Sequence, residues 1–173
     1  MLPKTTLVLG GAASGKSAHA ESIAITHSSD CIYLATAQAF DIEMQAKISL
    51  HQNRRGPGWT TIEAPLDAAR TLGKLAEGQV CLLDCATLWL SNHLMAESDI
   101  AHEQSTLIHA LTLCAARVVV VSNEVGHGVV PDNALARRFR EAQGRLNIAL
   151  AAEADLVVQV TAGLPRILKG DAP

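Results

Sequence analysis

Thr5-Thr6-Leu7-Val8-Leu9-Gly10-Gly11-Ala12-Ala13-Ser14-Gly15-Lys16-Ser17 is the stretch whose reading decides the fold. Its last eight residues fill the pattern G-x-x-x-x-G-K-[ST], in which glycines let backbone N–H groups turn inward around phosphate oxygens. An apolar run of strand character delivers the loop. A helix expected over residues 15–26 follows it, and its positive N-terminal end would face the anion. Ala20, Ile23 and Ala24 recur at helical spacing, which suits packing on a sheet. In this reading Gly10, Gly11, Ala12, Ala13, Ser14 and Gly15 cradle a nucleotide's phosphates, Lys16 is the catalytic cation that reaches the outer ones, and Ser17 holds Mg²⁺. The competing reading, a serine-capped glycine turn with a solvated lysine, would need neither the strand before the loop nor the helix after it.

Outward from this loop, apolar β-rich runs alternate with helical ones. Strands are expected over residues 5–9, 31–36, 59–62, 80–84, 117–123 and 156–160, and helices over 41–50, 66–77, 87–95, 100–115 and 134–154. The last helix has Leu135, Phe139, Ala142, Leu146 and Ala149 on one face, with Asp132 or Asn133 placed to cap its start. Val118-Val119-Val120-Val121 is apolar on both sides, as a parallel strand covered by helices on each face requires. Such alternation implies a single α/β domain over residues 1–173, with a mostly parallel sheet and ligands at the carboxyl ends of its strands. Asp84 ends the run Val80-Cys81-Leu82-Leu83 and therefore falls at the same edge as the phosphate loop. It is the natural second Mg²⁺ partner, although a carboxylate there can also cap the next helix. Asn123 and Glu124 end the following strand before Val125-Gly126-His127-Gly128, either as a substrate-facing pair or as a plain strand-to-helix connection.

With 173 residues, 49% of them hydrophobic, the chain can bury a core without disulfides or structural metal. Cys31, Cys81, Cys85 and Cys114 include no C-x-x-C pair and read as small buried hydrophobes. Neither a leader-like segment nor a window approaching the roughly 20 apolar residues of a membrane span occurs, so a cytoplasmic location is expected. A net charge of −3 and 3% aromatic residues argue against a nucleic-acid partner. Arg137, Arg138, Arg140 and Arg145 form the densest basic cluster, but Arg137, Glu141 and Arg145 at i,i+4 spacing suggest an ion-paired solvated face.

None of the seven histidines pairs at H-x-x-x-H or H-E-x-x-H spacing, so no zinc set is expected. His51 differs in its surroundings, because it precedes the polar and basic Gln52-Asn53-Arg54-Arg55-Gly56-Pro57-Gly58. It also shares a helical stripe with Met44 and Ile48, which taken alone favours a packing role.

Several separate motifs in order, from the phosphate loop through Tyr33-Leu34-Ala35-Thr36-Ala37-Gln38, Asp41-Ile42-Glu43-Met44, His51 with Arg55 to Trp59, Leu83-Asp84-Cys85, Ser122 to Gly126, Val130 to Asn133 and Gly144 to Asn147, give a further lead. Over nearly its whole length the chain resembles the cobinamide kinase/cobinamide-phosphate guanylyltransferase family of adenosylcobalamin nucleotide-loop assembly. The resemblance implies a RecA-like P-loop NTPase fold, a homotrimer, and a covalently guanylylated histidine at His51. It also implies nucleotide contacts from Gly10 to Ser17, from Ala35, Thr36 and Ala37, from Gln52, Asn53, Arg54 and Arg55, and from Glu63 and Asp84. The implied substrates are ATP or GTP with Mg²⁺, adenosylcobinamide and adenosylcobinamide phosphate, without a tightly bound organic cofactor. Two positions depart from the family pattern: Ala13 stands where arginine is frequent, and His127 where methionine is. A RecA-type NTPase driving a partner, or a non-catalytic nucleotide-binding module, are the alternatives from other classes.

Overall fold

The computed structural model describes residues 1–37 and 58–171. The helix expected over residues 41–50, Gln38, and His51 to Arg55 lie outside them. Seven strands form one sheet: β1 (Thr5–Gly10), β2 (Cys31–Ala35), β3 (Trp59–Glu63), β4 (Val80–Asp84), β5 (Arg117–Asn123), β6 (Leu156–Thr161) and β7 (Leu164–Lys169), in the order β3-β2-β4-β5-β1-β6-β7. The first six are mutually parallel, and β7 pairs antiparallel with β6. The described helices are α1 (Lys16–His27), α2 (Ala68–Leu72), α3 (Ala86–Met95), α4 (Ile100–Leu113) and α5 (Ala134–Glu153).

Side chains alternate across each strand, so the sheet has two buried faces. Leu7, Leu34, Leu83, Val118 and Val120 pack under α2, α3, α4 and α5. Val8, Tyr33, Leu82, Val119 and Val121 pack under Ala20, Ile23 and Ala24 of α1, the stripe expected from the sequence. Caps start the longer helices. Asp99 accepts from the N–H groups of Ala101 and His102 at the start of α4, and Asn133 accepts from Leu135 and Ala136 at the start of α5.

Three sequence expectations need correction, and one further strand lies outside the expected set. The helix expected over residues 66–77 is regular only from Ala68 to Leu72; Ala68, Leu72 and Leu75 are all in the core, but Gly73 opens i→i+3 turns in which Lys74 N–H meets Thr71 O and Leu75 N–H meets Leu72 O. The face expected for α5 holds at Phe139, Ala142 and Leu146, which pack on the core, but Leu135 is 59% exposed and the buried positions are Gln143, Leu146, Asn147 and Leu150. Gln143 and Asn147 belong to a buried polar network described below. Strand β7 follows a two-residue turn, Ala162 (φ 51°) and Gly163 (φ 79°), and is exposed along both faces, so it carries no alternation to read. Arg145 does pair with Glu141 at 3.5 Å, but Arg137 donates instead to the carbonyls of Pro131 (2.8 Å) and Asp132 (2.6 Å). No helix among the described residues is long and apolar enough to cross a membrane.

Candidate active site

The carboxyl edge of the sheet gathers the candidate residues. Gly10 is in register with Asn123, and Glu124 N–H donates to Gly10 O at 3.0 Å, so the loop leaves β1 tied to the end of β5. A Cβ on Gly10 would sit 2.6 Å from Val160 O and still closer to Ser14 Oγ, which explains the glycine. Ser14 N–H closes a turn on Gly11 O at 3.3 Å, and Gly15, at φ 91°, caps α1 in a left-handed conformation. That cap supplies no side-chain acceptor, and the first turn of α1 holds no acidic residue. The helix therefore presents its first N–H groups and its positive dipole end without an internal counter-charge. Lys16 Nζ folds back to donate to Gly11 O at 3.1 Å, which lays its ammonium along the loop. Ala12 and Ala13 are exposed at the loop's tip, Ala13 with φ 54°.

The turn of the β6–β7 hairpin supports the loop from behind. Gly163 N–H donates to Ser14 O at 2.8 Å, and a Cβ on Gly15 would lie 3.1 Å from Gly163 Cα.

Asp84 stands at the end of β4, separated from β1 by β5 alone, a lateral distance of about 10 Å at the usual strand spacing. Tyr33 Oη donates to its Oδ2 at 2.8 Å, while Oδ1 accepts nothing among the described residues. The Ser17 hydroxyl likewise makes no hydrogen bond there. No group of three or more His, Cys, Asp or Glu side chains among the described residues could cage a metal. One hydroxyl and one carboxylate oxygen fit Mg²⁺, which keeps most of its waters and takes phosphate oxygens as further ligands.

Beside Asp84, the Cys85 thiol is pushed up to about 11, first by burial and then by the Asp84 charge, with the Leu88 and Thr87 N–H groups and Lys16 pulling the other way. Thr36 is fully buried and spends its hydroxyl on Cys85, donating to Cys85 O and accepting from Cys85 N, both at 2.8 Å. Asn92 Nδ2 holds Thr36 O at 2.8 Å. Thr36 thus joins the ends of β2 and β4. Ala35 is in register with both Asp84 and Glu63, and Ala37 lies half-buried just beyond. Glu63 is exposed on the edge strand, four strands from β1, about 19 Å at that spacing. The fold therefore gathers Gly10 to Ser17, Asp84, Asn123 and Glu124, but it does not bring Glu63 to the phosphate loop.

Sequence reading missed the supports beneath these residues. Ser122 Oγ donates to Asn147 Oδ1 at 2.6 Å, and Gln143 Nε2 donates to Ser122 Oγ and Asn147 Oδ1, each at 2.9 Å. Asn147 Nδ2 donates to Asn123 O at 3.0 Å, and Asn123 N–H donates to Thr87 Oγ1 at 2.8 Å. The signal available was Gln143 and Asn147 at i,i+4 spacing beside Leu146 and Leu150.

Comparison with known proteins adds the family. The profile described as cobinamide kinase / cobinamide phosphate guanyltransferase matches residues 6–168. The chain belongs to that family. Its cobinamide kinase/guanyltransferase relatives include the bifunctional adenosylcobalamin biosynthesis protein CobP of Pseudomonas aeruginosa, 44% identical over 95% of this chain and 97% of that protein. The bifunctional adenosylcobalamin biosynthesis protein CobU of Salmonella typhimurium is 42% identical over 91% of this chain and 96% of its own length. Among solved structures, the RadB recombinase superposes with a TM-score of 0.52 at 15% identity, covering 91% of this chain and 74% of that one. This likeness concerns the fold alone, and that fold is RecA-like. In this member of the family the glycine loop, Lys16 and Asp84 occupy the edge at which α/β sheets take their ligands.

Proposed function

We propose that the chain phosphorylates adenosylcobinamide with ATP or GTP, and then transfers GMP from GTP to adenosylcobinamide phosphate through a guanylylated His51, giving adenosylcobinamide-GDP. The observation that carries this is the phosphate loop of a family member, with an unopposed helix terminus and the Lys16 ammonium laid along it. In the kinase half the acceptor hydroxyl attacks the γ-phosphorus and the nucleoside diphosphate leaves. Such a transfer asks for alignment and charge neutralisation rather than covalent help. The loop N–H groups from Gly10 to Ser17 orient the phosphates, and Lys16 offsets charge developing on the leaving oxygens. Mg²⁺ held by Ser17 and Asp84 would supply the remaining neutralisation; Tyr33 fixes the aspartate for it.

In the transferase half neutral His51 attacks the α-phosphorus of GTP, pyrophosphate departs, and the phosphate of adenosylcobinamide phosphate later displaces the histidine from GMP. An imidazole with an ordinary pKa near 6.5 carries the required lone pair at neutral pH. Support for His51 is its place in the motif order of the family, with Gln52, Asn53, Arg54 and Arg55 beside it as nucleotide contacts. A homotrimer is part of this reading. Exposed Val129 (93%), Met95 (67%) and Leu164 (73%) are apolar surface that self-association would cover. Four free, buried cysteines fit a reducing cytoplasm.

GTP labelled at the α-phosphate tests the scheme. The protein should acquire acid-labile label that is absent in His51→Ala, while kinase turnover of that variant persists. Label retained in His51→Ala refutes the assignment of the nucleophile.

A further inference from the structure

We infer that Glu124 is the general base of the kinase half, taking the proton from the acceptor hydroxyl. The inference rests on the kinase reading above and assigns a residue to it. Glu124 follows directly on β5, the strand between the one that delivers the phosphate loop and the one that ends in Asp84. Its N–H is held by Gly10 O at 3.0 Å, and the residue before it is held by Thr87 Oγ1 of the helix after Asp84. The residue is therefore stationed between the element that would hold the phosphates and the element that would hold the metal.

Its carboxylate is positioned yet uncommitted. Oε1 accepts from Gly126 N–H at 2.9 Å, whereas Oε2 accepts nothing among the described residues, and the side chain is one third exposed. His127 Nε2 lies 3.9 Å from Oε1, too far for a hydrogen bond, on a side chain that is 82% exposed. Closing the turn needs one oxygen, and the second has no partner among the described residues. The platform beneath is anchored from both sides. Asn147 and Ser122 hold the end of β5, and Arg140 donates to the carbonyls of Gly126 and of Val129 (3.0 Å) in the loop that follows.

Three other described bases are occupied or distant. Asp84 accepts from Tyr33 and is assigned to the metal in the kinase reading, Glu63 is four strands away, and both ring nitrogens of buried His93 are engaged, by Ser98 Oγ and Leu66 O. The step balances simply. As the hydroxyl oxygen bonds to the γ-phosphorus, its O–H bond breaks toward Glu124 Oε2; the bond from the γ-phosphorus to the β-bridging oxygen breaks, ADP or GDP leaves, and the carboxyl proton passes to water.

The test is Glu124→Gln, which keeps an acceptor for Gly126 N–H but removes the base, beside His127→Gln as control. Positioned bases contribute roughly 10²–10⁴-fold, so the kinase kcat of Glu124→Gln should fall by at least about 100-fold. Its nucleotide KM and its incorporation of α-labelled GMP should stay within about twofold, since neither calls on this proton. The His127→Gln variant should keep its kinase rate. Kinase turnover within about threefold of wild type in Glu124→Gln overturns the inference. So does a parallel loss of nucleotide binding and GMP labelling, which would make Glu124 a prop for the turn, or a full loss in His127→Gln. If the unsubstituted protein phosphorylates no cobinamide, the kinase reading itself fails, and this assignment with it.

Discussion

Asn147→Leu should cost far more than its volume suggests. Asn147 is 8% exposed and is the hub of the network under the site: its Oδ1 accepts from Ser122 Oγ and Gln143 Nε2, and its Nδ2 donates to Asn123 O. Leucine keeps the branching and heavy-atom count of the side chain while three hydrogen bonds go. The Ser122 hydroxyl proton and Asn123 O then lose these partners, and Gln143 Nε2 retains Ser122 Oγ. Each buried polar group left unsatisfied costs about 1–3 kcal/mol, so two of them give about 2–6 kcal/mol. Gln143 Oε1, already buried without a partner among the described residues, can turn toward the Ser122 hydroxyl, which leaves Asn123 O as the one unsatisfied group and draws the value to about 1–3 kcal/mol. That is a large share of the roughly 5–15 kcal/mol by which domains are stable. Urea unfolding with an unchanged m-value measures it. The triple variant Ser122→Ala, Gln143→Leu, Asn147→Leu should be more stable than the single one, because the polar partners leave together. A loss under about 1 kcal/mol in Asn147→Leu, or a triple variant less stable than the single, refutes the account of the network.

Two further outcomes test the loop and its neighbour. Gly15→Ala forces alanine to φ 91° and sets a Cβ 3.1 Å from Gly163 Cα; at about 1–2 kcal/mol of strain, nucleotide affinity should drop roughly tenfold in a fluorescence titration, and unchanged affinity would count against the loop geometry. Cys85, with its thiol pushed up from 9.0 to about 11 and 7% exposed, should resist iodoacetamide in native protein at pH 8, where only ~0.1% is thiolate, yet react once unfolded. Because the folded state holds this proton more tightly, its contribution to stability is complete below pH 9 and declines as pH rises from 9 to about 11. Rapid native alkylation of Cys85 at pH 8, seen by peptide mapping, would contradict the burial.

The parts of the fold legible in the sequence were those fixed by local pattern. Continuous apolar runs such as Val118 to Val121 are buried on both faces and read as central parallel strands. The glycine loop announced its own geometry, because Gly10 and Gly15 stand where a Cβ would collide or strain. What stayed hidden depends on partners distant in the chain. Gln143 and Asn147 look like surface residues until Ser122 and Asn123 are brought beneath them, and Tyr33 looks like a core aromatic until Asp84, 51 residues later, accepts its hydroxyl. Strand β7 escaped because an edge strand open on both faces is bound only by its backbone ladder to β6. The strand order that places Glu63 four strands from the phosphate loop is likewise set by pairing between distant segments and not by local pattern.

The clasp between Gly163 N–H and Ser14 O has a consequence for synthesis. On the ribosome the glycine loop emerges well before β6 and the turn that braces it. Nascent chains that stop short of position 163 should therefore carry the complete nucleotide signature and still grip no nucleotide. Competence arrives only when that hairpin folds back onto the loop.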